Sequence, residues 1–330
     1  MLPLSSTDNK KAIRRQWDKP IIADFSNRLQ RHLNYFGLPG PDIADFLDWQ
    51  EHLGWKTGVE MVSKRGSKEV RDAQQARVNE LQTNVMLNGF SAEWELRRGK
   101  IEDIILNGFD IDQKTPKYFV FEKGRVPKLQ YDLHNWDFQG GLHRTDNNES
   151  RRIEAIKQCI RLQKDQPFLF FLTLNVRHTL GEDVFVYLDG ASKDINSDKY
   201  EEALRWYSKQ GSSGNTDHYR IKAVVPLMVR SVSQVNSFDC YCYPVLYYEG
   251  WKEHLLHFVF ELWPKKTVLP TFSTQQTVDV IDLPIIDINN GQFILASKQH
   301  PCFSVESLSK IAQTKLSISP IIEQLTFPSV

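Results

Sequence analysis

The run Phe238–Trp263, FDCYCYPVLYYEGWKEHLLHFVFELW, decides the fold. Phe238–Tyr248 and Leu255–Trp263 are each rich in aromatic and aliphatic residues, and Glu249-Gly250-Trp251-Lys252 lies between them. Two such runs about a short loop containing Gly read as an antiparallel hairpin. Helical stretches precede it, His218–Val235 and, further back, Lys199–Lys209. Upstream again, Phe168–Leu174 (FLFFLTL) is apolar almost throughout. A strand without a polar face belongs in the centre of a parallel sheet, buried on both sides. Tyr131–Phe138 reads as another strand, and Glu149–Gln163 as a helix with Ile153, Ile156 and Ile160 toward the core.

The N-terminal half continues this alternation. Ile21, Phe25, Leu29, His32 and Leu33 fall near one face of a helix over Pro20–Tyr35. Gly37-Leu38-Pro39-Gly40-Pro41-Asp42 forces a turn, and Asp42 can cap a helix running to about Leu53, stopped by Gly54. Trp55–Val62 and Glu93–Arg98 read as strands around a polar helix, Lys68–Thr83. Tyr118–Glu122 is a candidate extra strand, and Val278–Leu283 and Gln292–Ala296 are strand-like pieces in a tail that also holds two short helices. Strands alternating with helices imply a doubly wound α/β sheet, here closed by the hairpin.

Composition excludes several classes. Lys and Arg number 41 and Asp and Glu 41, so the formal net charge is zero and bulk charge does not favour coating nucleic acid. The 25% charged and 41% hydrophobic content is that of a folded chain. The longest apolar run, Pro167–Leu174, falls short of the ~18 residues of a membrane span. Residues 1–15 turn polar and basic too soon for a secretory signal. The 4 Cys do not make a disulfide framework, and a reducing cytoplasm is the expected compartment. No internal repeat or long linker is visible. The expected organisation is a helical extension over 1–30, one α/β domain over 31–264, and a C-terminal extension over 265–330 of no assigned role.

Over roughly residues 30–263 the order of elements resembles that of the class I S-adenosylmethionine-dependent methyltransferases. The resemblance implies a Rossmann-like, three-layer α/β/α sheet whose final strand is inserted antiparallel from a closing hairpin. Phe36-Gly37-Leu38-Pro39-Gly40 stands where the family has its glycine-rich turn, but as Gly-x-x-Gly rather than Gly-x-Gly and without an acid just upstream. Glycine there lets backbone approach a ligand at a helix N-terminus. The resemblance places Gly37 and Gly40 at the methionine end of S-adenosylmethionine. It places Glu60, about twenty residues on, at the ribose hydroxyls. Asp103, beside Glu102, would lie near the adenine.

Asn135-Trp136-Asp137-Phe138-Gln139-Gly140-Gly141 ends the fourth strand, where ligands gather in open α/β sheets. Amino-methyltransferases carry Asp/Asn-Pro-Pro-aromatic at this place, and Asn135-x-x-Phe138 keeps that spacing without the prolines. Asp137-Phe138-x-Gly140 is similar to the Asp-Pro-aromatic-Gly motif of tRNA guanine-N2 dimethyltransferases. The resemblance assigns Asp137, Asn135 and Phe138 to the acceptor, with an amine of a nucleic-acid base as the expected target. An acid or carbonyl there orients an amine or takes its proton. Nucleic acid or protein substrates and a partner subunit are the partners implied. The alternative is a chain that keeps the fold without the cofactor and serves as an assembly protein, for example in a bacterial defence or modification system.

Other constellations are weaker. Cys240-Tyr241-Cys242 lies on a strand, but His254 and His257, three apart on the partner strand, point to opposite faces, so no metal site is expected. Buried thiols are the simpler reading. No nucleophile elbow or P-loop occurs. Arg177 and His178 follow the apolar strand and could line the same crevice. The basic patches Lys10-Lys11…Arg14-Arg15, Arg97-Arg98…Lys100 and Arg151-Arg152 read as solvated faces.

Overall fold

A computed structural model describes residues 7–60, 62, 66–107, 131–138, 141–142, 151–175, 216–249, 254–266, 280–296, 305–313 and 318–325. Five parallel strands form its centre: β1 (Leu33–Gly37), β2 (Leu53–Glu60), β3 (Trp94–Arg98), β4 (Leu133–Asp137) and β5 (Phe168–Asn175). Three more come from the hairpin region, β6 (Phe238–Cys242), β7 (Val245–Glu249) and β8 (His254–Pro264). Two belong to the tail, β9 (Ile285–Asn289) and β10 (Gln292–Leu295). The spatial order is β10-β9-β7-β8-β5-β4-β1-β2-β3, with β6 also on β8. The order reverses between β1 and β4, both parallel to each other, which makes that junction the switch point of a doubly wound sheet.

The closing hairpin forms as expected. β8 runs antiparallel to β5 along one edge and to β6 and β7 along the other. The run Phe238–Tyr248 divides at Tyr243-Pro244, since proline has no N–H to donate to the ladder. The tail enters the same sheet: β9 pairs in parallel with β7, and β10 pairs with β9.

Several expectations need correction. The first helix over the sheet is α2, Lys19–Leu29; Gln30 takes a left-handed conformation (φ 54°), and the chain leaves as strand β1. Leu33, Tyr35 and Phe36 therefore belong to the sheet. The turn after β1 leads into α3, Ala44–Trp49, whose cap position is Ile43 at φ 47°, without a side-chain cap from Asp42. A 3-10 turn follows, and Gly54 lies inside β2 rather than stopping a helix. Val280–Asp282 is a 3-10 turn, and the strand of that region is β9. Lys199–Lys209 and Tyr118–Glu122 lie outside the described residues.

Helices cover both faces. Before α2 stand a short α1 (Asp8–Ala12) and a π-helical stretch, Ile13–Asp18. α4 (Lys68–Leu87) links β2 to β3, and α5 (Ile101–Asn107) follows β3. α6 (Arg151–Gln163) and α7 (Thr216–Val235) complete the central layers, with α8 (Val305–Gln313) and α9 (Ser319–Gln324) in the tail. Alternation along β4 separates the layers. His134 and Trp136 face α6, where His134 meets Cys159 and Gln163. Asn135 and Asp137 face the N-terminal helices. Cys159, Cys240 and Cys242 are buried free thiols. No helix among the described residues is long and apolar enough to cross a membrane.

Candidate functional site

The carboxyl ends of β1, β4 and β5 meet one polar chamber. Strand register sets its floor: Gly37 lies beside Asn135, and Asp137, Thr173 and His257 form one row across β4, β5 and β8. The π-helical stretch and α3 form its roof, contributing Arg14, Asp18 and Asp45. The space within it is about 30 Å³, room for a water or two, and it opens to solvent.

Each wall is hydrogen-bonded. Asn135 Nδ2 donates to Asp45 Oδ2 at 2.7 Å, and the Tyr35 hydroxyl donates to the same oxygen at 3.1 Å. Burial pushes the Asp45 carboxyl up to about 7; Arg14 opposes that rise and Asp137 adds to it. Arg14 itself donates to Asp48 at 3.0 Å. His257 bonds Asp18 through Nε2 (3.0 Å) and Thr173 through Nδ1 (2.9 Å). Lys10 Nζ reaches Asp137 Oδ2 at 2.5 Å.

Both chain extensions build this roof. Asn9 Nδ2 donates to the carbonyl of Glu249, at the end of β7, and Asn9 Oδ1 accepts from Gly291 N in the β9–β10 turn. Trp17 stacks on Phe293 of β10 with centroids 5.8 Å apart. The terminal segments, separate in sequence, meet over the carboxyl edge of the sheet.

Of the residues singled out from sequence, Gly37, Asn135 and Asp137 come together here. Gly37 is spoken for by packing: a Cβ would lie 2.2 Å from the carbonyl oxygen of Asn135 and 2.6 Å from the Tyr35 hydroxyl. Gly40 has φ +71°, a left-handed conformation that favours glycine, and its Cβ position lies 3.2 Å from Asp42 Oδ1. Phe138 is buried, with the Arg152 guanidinium over its ring at 4.2 Å. Arg152 also bonds Glu102 at 2.9 Å and the Gly141 carbonyl at 2.5 Å.

Glu60 ends β2 two strands from Asn135, and Arg77 of α4 bonds its carboxylate at 2.7 Å. Asp103 pairs with Arg151, pinning α5 to α6. S-adenosylmethionine, the group this fold implies, is tested by these side chains. The residue types agree with it, a left-handed glycine in the turn and a carboxylate at the end of β2, which Arg77 engages. Asp103 is turned to the helix layer. Sequence reasoning missed Lys10, Asp18, Asp45 and His257 as site residues. Lys10 carried a signal only as part of a basic patch, His257 only as a discounted metal ligand, and Asp18 and Asp45 none. Arg177 and His178 lie outside the described residues.

No family model matches the chain, and no curated protein is significantly similar to it. Solved structures do match its arrangement. Trm1 from Pyrococcus horikoshii, in complex with S-adenosyl-L-methionine, is 12% identical over 94% of this chain and 75% of that one, with a TM-score of 0.40. The O-methyltransferase TomG from Streptomyces achromogenes, in complex with SAM, is 11% identical over 78% of this chain and 89% of that one, with a TM-score of 0.33. Likeness at this level adds nothing to the strand order. The parallel sheet with its switch point between β1 and β4, closed by β8 inserted antiparallel between β5 and β7, is a class I methyltransferase-like fold.

Proposed function

We propose that the chain is an S-adenosylmethionine-dependent methyltransferase with an amine acceptor. One observation carries this reading: Asn135 and Asp137 present an amide and a carboxylate on one face, at the carboxyl end of the strand beside the switch point. Gly40 and Glu60 would hold the cofactor at its turn and ribose. When bound, the cofactor supplies an electrophilic methyl group. Asp137 then orients an acceptor amine and accepts its proton, and Asn135, fixed by Asp45, limits the amine's approach. An amine of a nucleic-acid base is the acceptor implied by the Asn135-x-x-Phe138 spacing. The buried Phe138 ring offers no face for a base to stack on, so the support lies with Asn135 and Asp137 alone.

Nucleic acid and protein are the substrate classes in view, and the buried thiols suit a reducing cytoplasm. The cofactor-free assembly protein is the second reading, favoured by the Arg77–Glu60 pair and the small chamber. Isothermal titration with S-adenosylmethionine and S-adenosylhomocysteine separates the two. Micromolar binding of either ligand supports the enzyme; no heat at millimolar ligand supports the assembly protein.

A further inference from the structure

The chamber already holds an ammonium group, and it is the protein's own. Lys10 Nζ lies 2.5 Å from Asp137 Oδ2, with its side chain only 14% exposed. The other acids of the lining already have partners: Asp18 has His257, and Asp45 has Tyr35, Asn135 and the nearby Arg14, which also bonds Asp48. Removing Lys10 would leave Asp137 without the cation now bonded to it. A half-buried carboxylate that loses its partner is destabilised, and an ammonium that restores the bond recovers that loss.

Lys10 does not hold its own segment in place. Asn9 is tied to Glu249 and Gly291, Arg14 to Asp48, and Trp17 to Phe293. These neighbours set where the ammonium lies. Asp137 is 31% exposed, so the chamber has a mouth to solvent.

We propose that the Asp137 chamber is a binding site for a primary alkylammonium group, and that Lys10 is its ligand in cis. This deepens the methyltransferase reading and rests on it for the role of the site: the acceptor class becomes an alkyl amine of lysine type, and Lys10 competes with it. Lys10 is then an autoinhibitory side chain on an anchored segment. An external amine gains access only where the Lys10 ammonium leaves Asp137.

The test is chemical replacement. Lys10→Ala removes three methylenes and the ammonium, the outline of n-propylammonium. Thermal unfolding of this variant is followed with n-propylammonium chloride against sodium chloride and tetramethylammonium chloride at equal concentration. A saturable rise of about 2 °C specific to n-propylammonium is expected. It should vanish in Lys10→Ala/Asp137→Asn and be absent in the wild type. A rise no larger than with the control salts, in a variant with the wild-type circular dichroism spectrum, overturns the proposal.

If Lys10→Ala does not fold, acetylation of lysines followed by mass spectrometry decides. Lys10 should react at least about tenfold faster in Asp137→Asn than in the wild type, with the exposed Lys68 unchanged; equal rates overturn the proposal. Titration with S-adenosylmethionine separates the two ideas. An n-propylammonium site without cofactor binding removes the methyltransferase and keeps the ammonium site. Cofactor binding without an n-propylammonium response does the reverse.

Discussion

Arg77 of α4 bonds the carboxylate of Glu60 at the end of β2, Nε to Oε1 at 2.7 Å. The acid is 4% exposed and the arginine 44%, so one partner is fixed and the other borders solvent. Glu60 is thus a buried acceptor held by a guanidinium. Under the methyltransferase reading, ribose hydroxyls and Arg77 compete for it. Glu60→Ala should weaken S-adenosylmethionine at least about tenfold, or about 1.4 kcal/mol. Arg77→Ala should strengthen it severalfold. Calorimetric titration of both variants measures this, and equal affinities in wild type, Glu60→Ala and Arg77→Ala would remove Glu60 from the site.

Gly37 stands where a glycine of the turn was expected to admit a ligand. Its space is instead taken by Asn135 O and the Tyr35 ring. Gly37→Ala must push β1 from β4, and overpacking of this kind costs about 1–3 kcal/mol or more. Urea unfolding should show a lowered midpoint. A midpoint within error of the wild type would mean that the two strands can separate freely.

The Asp45 carboxyl, pushed up to about 7 by burial, makes stability depend on pH. The folded state holds its proton more tightly than the unfolded chain does, so between about pH 4 and 7 this group's contribution falls as pH rises. His134, held down to about 3 by burial, acts oppositely: the unfolded chain takes up its proton first, and stability falls as pH drops from about 6.5. In the wild type the two slopes oppose each other. Asp45→Asn removes the first and keeps acceptors for Tyr35 and Asn135. Its melting temperature should therefore climb more steeply with pH between 4 and 7 than the wild type's. Parallel curves would show that Asp45 ionises normally.

Glu261, fully buried on β8, receives Arg28 Nη1 and Nη2 at 2.6 and 2.8 Å, Trp263 Nε1 at 2.5 Å and the Tyr243 hydroxyl at 3.1 Å. Arg28 also lies over the rings of Phe25 and Trp263, at 5.4 and 5.2 Å. This cluster ties α2 to the antiparallel strand. Glu261→Ala leaves a guanidinium without its main partner and should cost about 3–5 kcal/mol. Urea unfolding followed by tryptophan fluorescence measures it. A loss below about 1 kcal/mol would show that Asp24, 2.9 Å from Arg28, suffices.

The sequence alone determined the kind of sheet. Phe168–Leu174 had no polar face, and the hairpin around residues 249–252 could pair only with itself and its neighbour, so local composition sufficed for a parallel centre closed antiparallel. It also put Asn135 and Asp137 at the carboxyl end of a strand, where β4 ends. It misread Leu33–Gly37, since hydrophobic residues at helical spacing carried on past Leu29, and the stop was a single left-handed Gln30. Tertiary structure alone decided what each polar group faces. Lys10 and Asp137 are 127 residues apart, Asp18 and His257 239 apart, and Asn9 and Gly291 282 apart. No local spacing encodes such pairs. They exist because strand order and the packing of both chain extensions bring distant segments to one edge. There, burial makes each unpaired charge costly enough to demand a partner.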